Sequence, residues 1–216
     1  MLCFLYGPGE PGRYAALLFP MAHEFTQQEA DRHNELTQTG WDIVNGELFI
    51  HDSAVRGTPN WLGRRKLKKA ISCFEQALKI NPDGYSSMWA LGKIYQRLGN
   101  HETSLDWFGR AHELNPTQPD VAREAGLAAL DCGESELAVR YCNAAVKIAP
   151  DDAGLICNLS LAHILAGDDS AAMQCATNAS DRAPDDEICK TVLQFVEDVA
   201  TGKRSRPKTL QDVFPN

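Results

Sequence analysis

Four prolines recur at a constant interval along the chain, and this period limits the possible folds more than any other feature. Pro82, Pro116, Pro150 and Pro184 lie 34 residues apart. An alanine register and a glycine register follow the same interval: Ala77, Ala111, Ala145 and Ala179, and Gly99, Gly133 and Gly167. A period of about 20 to 50 residues is typical of repeat proteins, in which similar structural units stack in series.

The residues inside each period predict two helices. Glycine follows the first predicted helix of each period, where it permits the left-handed backbone that often ends a helix. Proline follows the second segment, because its ring and missing N–H cannot continue a helix. Small residues such as Ala77 would let neighbouring helices approach closely, and Phe74 and Phe108 would fill the space between them. The sequence therefore predicts an all-α protein built from helix pairs.

The second period carries further residues that match a known repeat. They are Leu91, Gly92 and Tyr95, followed by Gly99, Phe108, Ala111 and Pro116. In this pattern the chain resembles the tetratricopeptide repeat family, although the fourth period has Ser160 where glycine is usual. The resemblance implies a right-handed solenoid of four helix-turn-helix repeats. It also implies a protein-binding scaffold rather than a particular reaction. After Pro184, the helical spacing of Ile188, Val192 and Val199 predicts a C-terminal capping helix.

The period divides the chain into an arm, a repeat domain and a tail. We expect an irregular N-terminal arm over 1–24, a repeat domain over 25–201 and a tail over 202–216. Within the domain, repeat one covers 27–82, repeat two 85–116, repeat three 119–150, repeat four 153–184, and the capping helix 186–201.

Repeat one departs from the period by an insertion near 47–66. Thr58 and Pro59 are suited to the N-cap and the first position of a helix. We therefore expect the second helix of this repeat to run from about Pro59 to Ile80, nearly two turns longer than its counterparts. An irregular loop is expected between the two helices of the repeat.

The first helices of the repeats suggest where a partner binds. Trp41 and Trp89 fall off the stripe of residues expected to pack inside their repeats, and large aromatic side chains in such places favour binding. The alternative interpretation is that both tryptophans pack on the arm or on a neighbouring helix. The candidate partner-binding residues are Trp41, Trp89, Lys93, Gln96, Arg97, Arg123 and Asn158.

Charge is distributed unevenly along the chain. The formal net charge is −8, and residues 151–200 hold ten acids against two bases. We interpret most of these acids as helix caps. The one dense basic run, 64–69, could meet nucleic acid, an acidic peptide or an anionic membrane, but a solvated helix face is the simpler interpretation. Because the overall charge is acidic, we expect no nucleic-acid partner. No apolar run approaches the roughly 18 residues of a membrane span, so we expect no membrane insertion and a cytoplasmic location.

The sequence offers little to support catalysis. The segment Gly7–Gly12 matches G-x-G-x-x-G, but Pro8 and Pro11 remove two amide donors that a phosphate would need. Histidines and cysteines show no zinc spacing, so we expect no metal, no cofactor and no catalytic residue. The expected function is a non-enzymatic scaffold that binds a peptide or helical segment in a concave groove. The alternatives are a small secretion or assembly chaperone and, with least support, an enzyme or nucleotide-binding protein.

Overall fold

The computed structural model describes residues 26–45, 47, 49–50, 53–54 and 59–214, and these are almost entirely helical. The predicted arm over 1–24 lies outside the described residues. The first helices are α1 (Gln27–Val44), α2 (Trp61–Ile80), α3 (Tyr85–Leu98), α4 (His101–Leu114) and α5 (Pro119–Cys132). The others are α6 (Ser135–Ile148), α7 (Ala153–Ala166), α8 (Asp169–Arg182), α9 (Glu187–Ala200) and α10 (Leu210–Val213). The predicted all-α fold class is confirmed.

The helix boundaries follow from caps in the sequence. Thr26 accepts a hydrogen bond from the amide of Glu29, whose carboxylate accepts one from the amide of Thr26, forming a capping box before α1. Asp152 and Asp168 cap α7 and α8 in the simpler way, through one backbone amide each. The glycines that end α3, α5 and α7 all have a positive φ, near 80°, which explains why glycine recurs there.

The insertion in repeat one differs from the prediction in two respects. Helix α2 begins at Trp61 rather than Pro59, because Asn60 is the N-cap and its side chain accepts a hydrogen bond from the amide of Gly63. The expected irregular loop contains a short antiparallel pair, β1 (Phe49–Ile50) with β2 (Ser53–Ala54). Helix α2 has 20 residues against 14 in α4, α6 and α8, so the predicted extra length is confirmed.

The described residues fall into two compact units, one containing α1 to α4 and the other α5 to α10. In both repeats of the α1–α4 unit, a glycine on the first helix packs against an aromatic ring of the second helix. A Cβ placed on Gly40 would lie 2.7 Å from Phe74, and one on Gly92 would lie 2.6 Å from Phe108. Both rings are fully buried. The helices of these two repeats therefore approach as closely as they do only because the glycines lack side chains.

In the α5–α10 unit the same contact is made with smaller side chains. A Cβ on Gly126 would lie 2.7 Å from the sulfur of Cys142. In repeat four, Ala176 takes the register of Phe74, Phe108 and Cys142 and is fully buried. The small Ala176 explains why Ser160 is tolerated where glycine is usual, and the Ser160 hydroxyl donates to the carbonyl of Ala172 at 2.7 Å. The departure from the family pattern is thus compensated on the facing helix.

Helix α9 covers the last repeat by packing against both α7 and α8. Its buried apolar residues follow helical spacing: Cys189, Val192, Phe195, Val196 and Val199. Asp186 begins the helix by accepting hydrogen bonds from the amides of Ile188 and Cys189. This arrangement gives α9 the contacts of a capping helix.

The segment after α9 is folded, which the sequence analysis did not predict. Arg206 donates to the carbonyl of Ile164 at 2.6 Å, at the C-terminal end of α7, and pairs with Asp169 at 2.7 Å. Helix α10 packs against α5, and its Leu210 and Val213 are buried. Residues 203–213 therefore form a strap that holds the ends of α5 and α7 together within this unit.

Candidate protein-binding site

Three of the predicted site residues form one cluster in the α1–α4 unit. The ring centroids of Trp41 and Trp89 are 5.9 Å apart, and Trp41 also meets Phe74 edge-on at 5.5 Å. The indole N–H of Trp41 donates to the hydroxyl of Ser86 at 3.2 Å. The ammonium of Lys93 lies 5.8 Å from the centre of the Trp89 ring, within the range of a cation–π contact. We call Trp41, Trp89 and Lys93 the tryptophan cluster.

The expectation that Trp89 and Lys93 are open to a partner is wrong. Trp89 is 7% exposed and Lys93 is 6% exposed, whereas Trp41 is half-buried. Helix α3 packs against α1, α2 and α4, so it has neighbours on most of its circumference. The alternative interpretation, in which the tryptophans pack on a neighbouring helix, is therefore confirmed for the Trp41–Trp89 pair.

Gln96 and Arg97 lie on the next turn of α3 and are both half-buried. The Nε of Arg97 donates to the backbone carbonyl of Glu47 at 3.2 Å, which ties α3 to the insertion. Burial lowers the pKa of Arg97, and the nearby Glu47 carboxylate opposes this effect. Arg97 is thus a positioned cation rather than a free surface side chain.

The other two predicted residues lie in the α5–α10 unit. The guanidinium of Arg123 pairs with Asp120 at 3.1 Å and lies 3.6 Å from Glu124, so carboxylates of its own helix occupy it. Asn158 is 2% exposed, and neither atom of its amide group has a hydrogen-bond partner in the described part of the chain. Asn158 is less exposed than Trp89 and Lys93, so the expectation that it is open to a partner is wrong as well.

Helix α2 begins with an exposed apolar pair that was not among the predicted site residues. Trp61 is 74% exposed and Leu62 is 46% exposed, next to the basic run of 64–69. The signal was present in the sequence, because helical spacing places Trp61 opposite Ala70 and Leu62 about 140° from Leu67. Ala70 and Leu67 are fully buried.

Within the described residues, no group of three or more His, Cys, Asp or Glu side chains could hold a metal ion. The same residues include no helix with the length and apolarity needed to span a membrane.

Comparison with known proteins agrees with the fold. Models of the tetratricopeptide repeat match residues 62–119 and 124–152. These two stretches of the chain are therefore tetratricopeptide repeats, in agreement with the family that the sequence indicated.

Individual relatives are distant. Superkiller protein 3 of Schizosaccharomyces pombe is 28% identical over 130 residues, covering 60% of this chain and 9% of the relative. Among solved structures, MamA from Desulfovibrio magneticus RS-1 superposes with a TM-score of 0.64 at 16% identity, covering 80% of this chain and 86% of MamA. YrrB, described as having an unusual peptide-binding site, gives 0.57 at 16% identity, with coverage of 70% and 80%. The chain spans a tenth or less of the curated relatives it matches.

Proposed function

We propose that this protein is a non-enzymatic interaction scaffold that binds a peptide or helical segment through the first helices of its repeats. The repeat fold and the peptide-binding site described for YrrB support this assignment. The observation that carries it is the tryptophan cluster, in which Trp41 keeps part of its ring exposed while Phe74 and Ser86 hold it in place. A rigid, partly exposed tryptophan loses little entropy on binding.

Within the cluster, each residue has a separate task. Trp41 presents the apolar surface to the partner, and Trp89 packs against the Trp41 ring. The ammonium of Lys93 lies over the Trp89 ring and adds positive charge to the cluster. Gln96 and Arg97 provide polar contacts one turn further along α3. This arrangement favours a segment that carries an apolar anchor followed by a carboxylate or a backbone carbonyl.

The test is a titration of a captured partner segment against matched tryptophan variants. Trp41→Ala should weaken binding about five- to 150-fold, which corresponds to about 1 to 3 kcal/mol for a hot-spot residue. Trp61→Ala removes the same side chain from a different face of the unit and should leave affinity unchanged. Circular dichroism of both variants checks that they fold.

A second variant guards against a folding defect in Trp41→Ala. Arg97→Ala removes a cation that the Glu47 carbonyl already holds in position, so it should also weaken binding. If Trp41→Ala and Arg97→Ala both bind as tightly as the parent protein, the partner does not use these helices and the proposal is wrong.

A further inference from the structure

The N-terminal half of α2 carries an exposed patch that the tryptophan cluster does not explain. It consists of two apolar residues and five cations, all exposed: Trp61, Leu62, Arg64, Arg65, Lys66, Lys68 and Lys69. We call this set the α2 patch. Successive helix residues are offset by about 100°, so six of the seven side chains lie within roughly half of the helix circumference. Lys66 lies just outside that half. The apolar tip and the cations thus share one side.

The cations of the α2 patch are largely unpaired. Lys66 pairs with Glu47 at 2.9 Å, and Arg64 donates through Nε to the carbonyl of Pro59. Arg65, Lys68 and Lys69 have no carboxylate within ion-pair distance in the described part of the chain. Three cations therefore remain available for an external anion.

The position of these cations argues against a role in helix stability. The first turns of a helix favour negative charge, because the unpaired N–H groups and the macrodipole are positive there. An acid stands in the first turn of α1, α4, α5, α6, α8 and α9, whereas α2, α3 and α7 have none there. In α2, Arg64 and Arg65 follow directly after the first turn, so the macrodipole gives no stabilising reason for their charge.

We propose that the α2 patch docks this protein on an anionic lipid surface. Four to eight Lys or Arg residues on an amphipathic helix are suited to anionic headgroups, at about fivefold in affinity per cation near the surface. Trp61 and Leu62 would enter the headgroup region, where tryptophan is favoured and neighbouring basic side chains can extend to the phosphates. The exposed side of α2 would contact the surface of the bilayer, and the helix would not span it.

Other partners fit the patch less well. Three of the five cations are lysine, a residue depleted in the cores of protein interfaces. Single-stranded nucleic acid is bound by aromatic platforms in basic grooves, but Leu62 offers no face for stacking and the patch is the exposed side of a helix. A lipid surface uses the lysines, the exposed tryptophan and the leucine together.

The experiment measures co-sedimentation of the full chain with vesicles of phosphatidylcholine, alone or mixed with phosphatidylserine. The parent protein should bind only the mixed vesicles, despite its net charge of −8, and high salt should release it. The variant Arg65→Gln/Lys68→Gln/Lys69→Gln should bind about 100-fold more weakly. Trp61→Ala/Leu62→Ala should also bind more weakly, with helix content unchanged by circular dichroism.

A matched control removes the same amount of charge elsewhere. Lys79→Gln/Lys147→Gln/Lys203→Gln replaces three exposed lysines outside the patch and should bind nearly as the parent does. The proposal is overturned if the parent binds neither vesicle, binds both equally, or if the control loses as much affinity as the patch variant. Binding of a single-stranded oligonucleotide in place of vesicles would assign the patch to nucleic acid and would also overturn it. Because Trp41→Ala leaves the patch intact, failure here is distinguishable from failure of the proposed peptide site.

Discussion

The close contact between Gly92 and Phe108 predicts a strong energetic coupling between these two residues. In Gly92→Ala, the new methyl group would lie 2.6 Å from a ring carbon of Phe108, far inside van der Waals contact. Phe108 is fully buried and cannot turn into solvent. Overpacking of this kind costs about 1 to 3 kcal/mol.

A second effect opposes the clash, so the single variant alone is not decisive. Replacing glycine by alanine inside a helix stabilises it by about 1 kcal/mol. The two effects separate in a double-mutant cycle with Phe108→Ala, which by itself should cost about 3 to 5 kcal/mol. With the ring absent, Gly92→Ala should be stabilising by up to about 1 kcal/mol. The expected coupling energy is about 1 to 3 kcal/mol.

The assay is urea unfolding of the parent, the two single variants and the double variant, followed by circular dichroism. Should Phe108→Ala unfold the protein, Phe108→Leu supplies a milder background for the same cycle. The reverse substitution is Ala176→Phe, which places a ring in the register facing Ser160 and should be destabilising. If Gly92→Ala has the same effect with and without the ring, close packing is not the reason for glycine at this position.

Three shorter predictions concern the α5–α10 unit. Arg206→Ala removes the contacts of the strap with the end of α7, so amides of residues 203–213 should exchange faster by hydrogen-exchange mass spectrometry while the helices of the repeats keep their protection. The backbone amides that donate to Asp212 lower its pKa, so the carboxylate stabilises the strap above its unfolded-state pKa, and this contribution should be lost as the pH falls through the lower folded value. Asp212→Asn should remove this pH dependence from the protection factors of residues 203–213, which compare each exchange rate with the intrinsic rate at the same pH. Burial raises the pKa of Cys157 and Cys189, whose sulfurs lie 3.3 Å apart. Both thiols should therefore react slowly with Ellman's reagent until the protein unfolds, and immediate reaction would contradict their burial.

The helices were predictable because their signals are local and repeated. Glycine at the end of a first helix and proline after a second one place both boundaries without knowledge of the tertiary contacts. The start of α2 was misplaced because Thr58-Pro59 and Asn60 are both good caps, and only the structure shows that Asn60 makes the hydrogen bond. The strap was missed because it has no counterpart in the repeat, although Thr209 and Asp212 have the spacing of a capping box.

The candidate site was predicted less well, since burial depends on several helices at once. The periodicity of α3 shows which residues face α4, but it does not show that α1 and α2 cover other sides of the same helix. Trp89 was therefore expected to be open and is buried. The contact of Arg97 was also not predicted, because its partner is a backbone carbonyl of the insertion, about 50 residues earlier in the chain. Such contacts leave no periodic signal.

The strap has a consequence for synthesis of the protein on the ribosome. Its residues follow every helix that they contact, so α5 and α7 are translated well before Arg206 and Leu210 can reach them. Folding proceeds largely from the N-terminus during translation. Until then, the apolar surface of the last repeat that α9 later covers, and the surface of α5 that α10 later contacts, are exposed to other nascent chains. Slow translation of this region would lengthen that exposure, and a chaperone acting at this stage would protect the α5–α10 unit in particular.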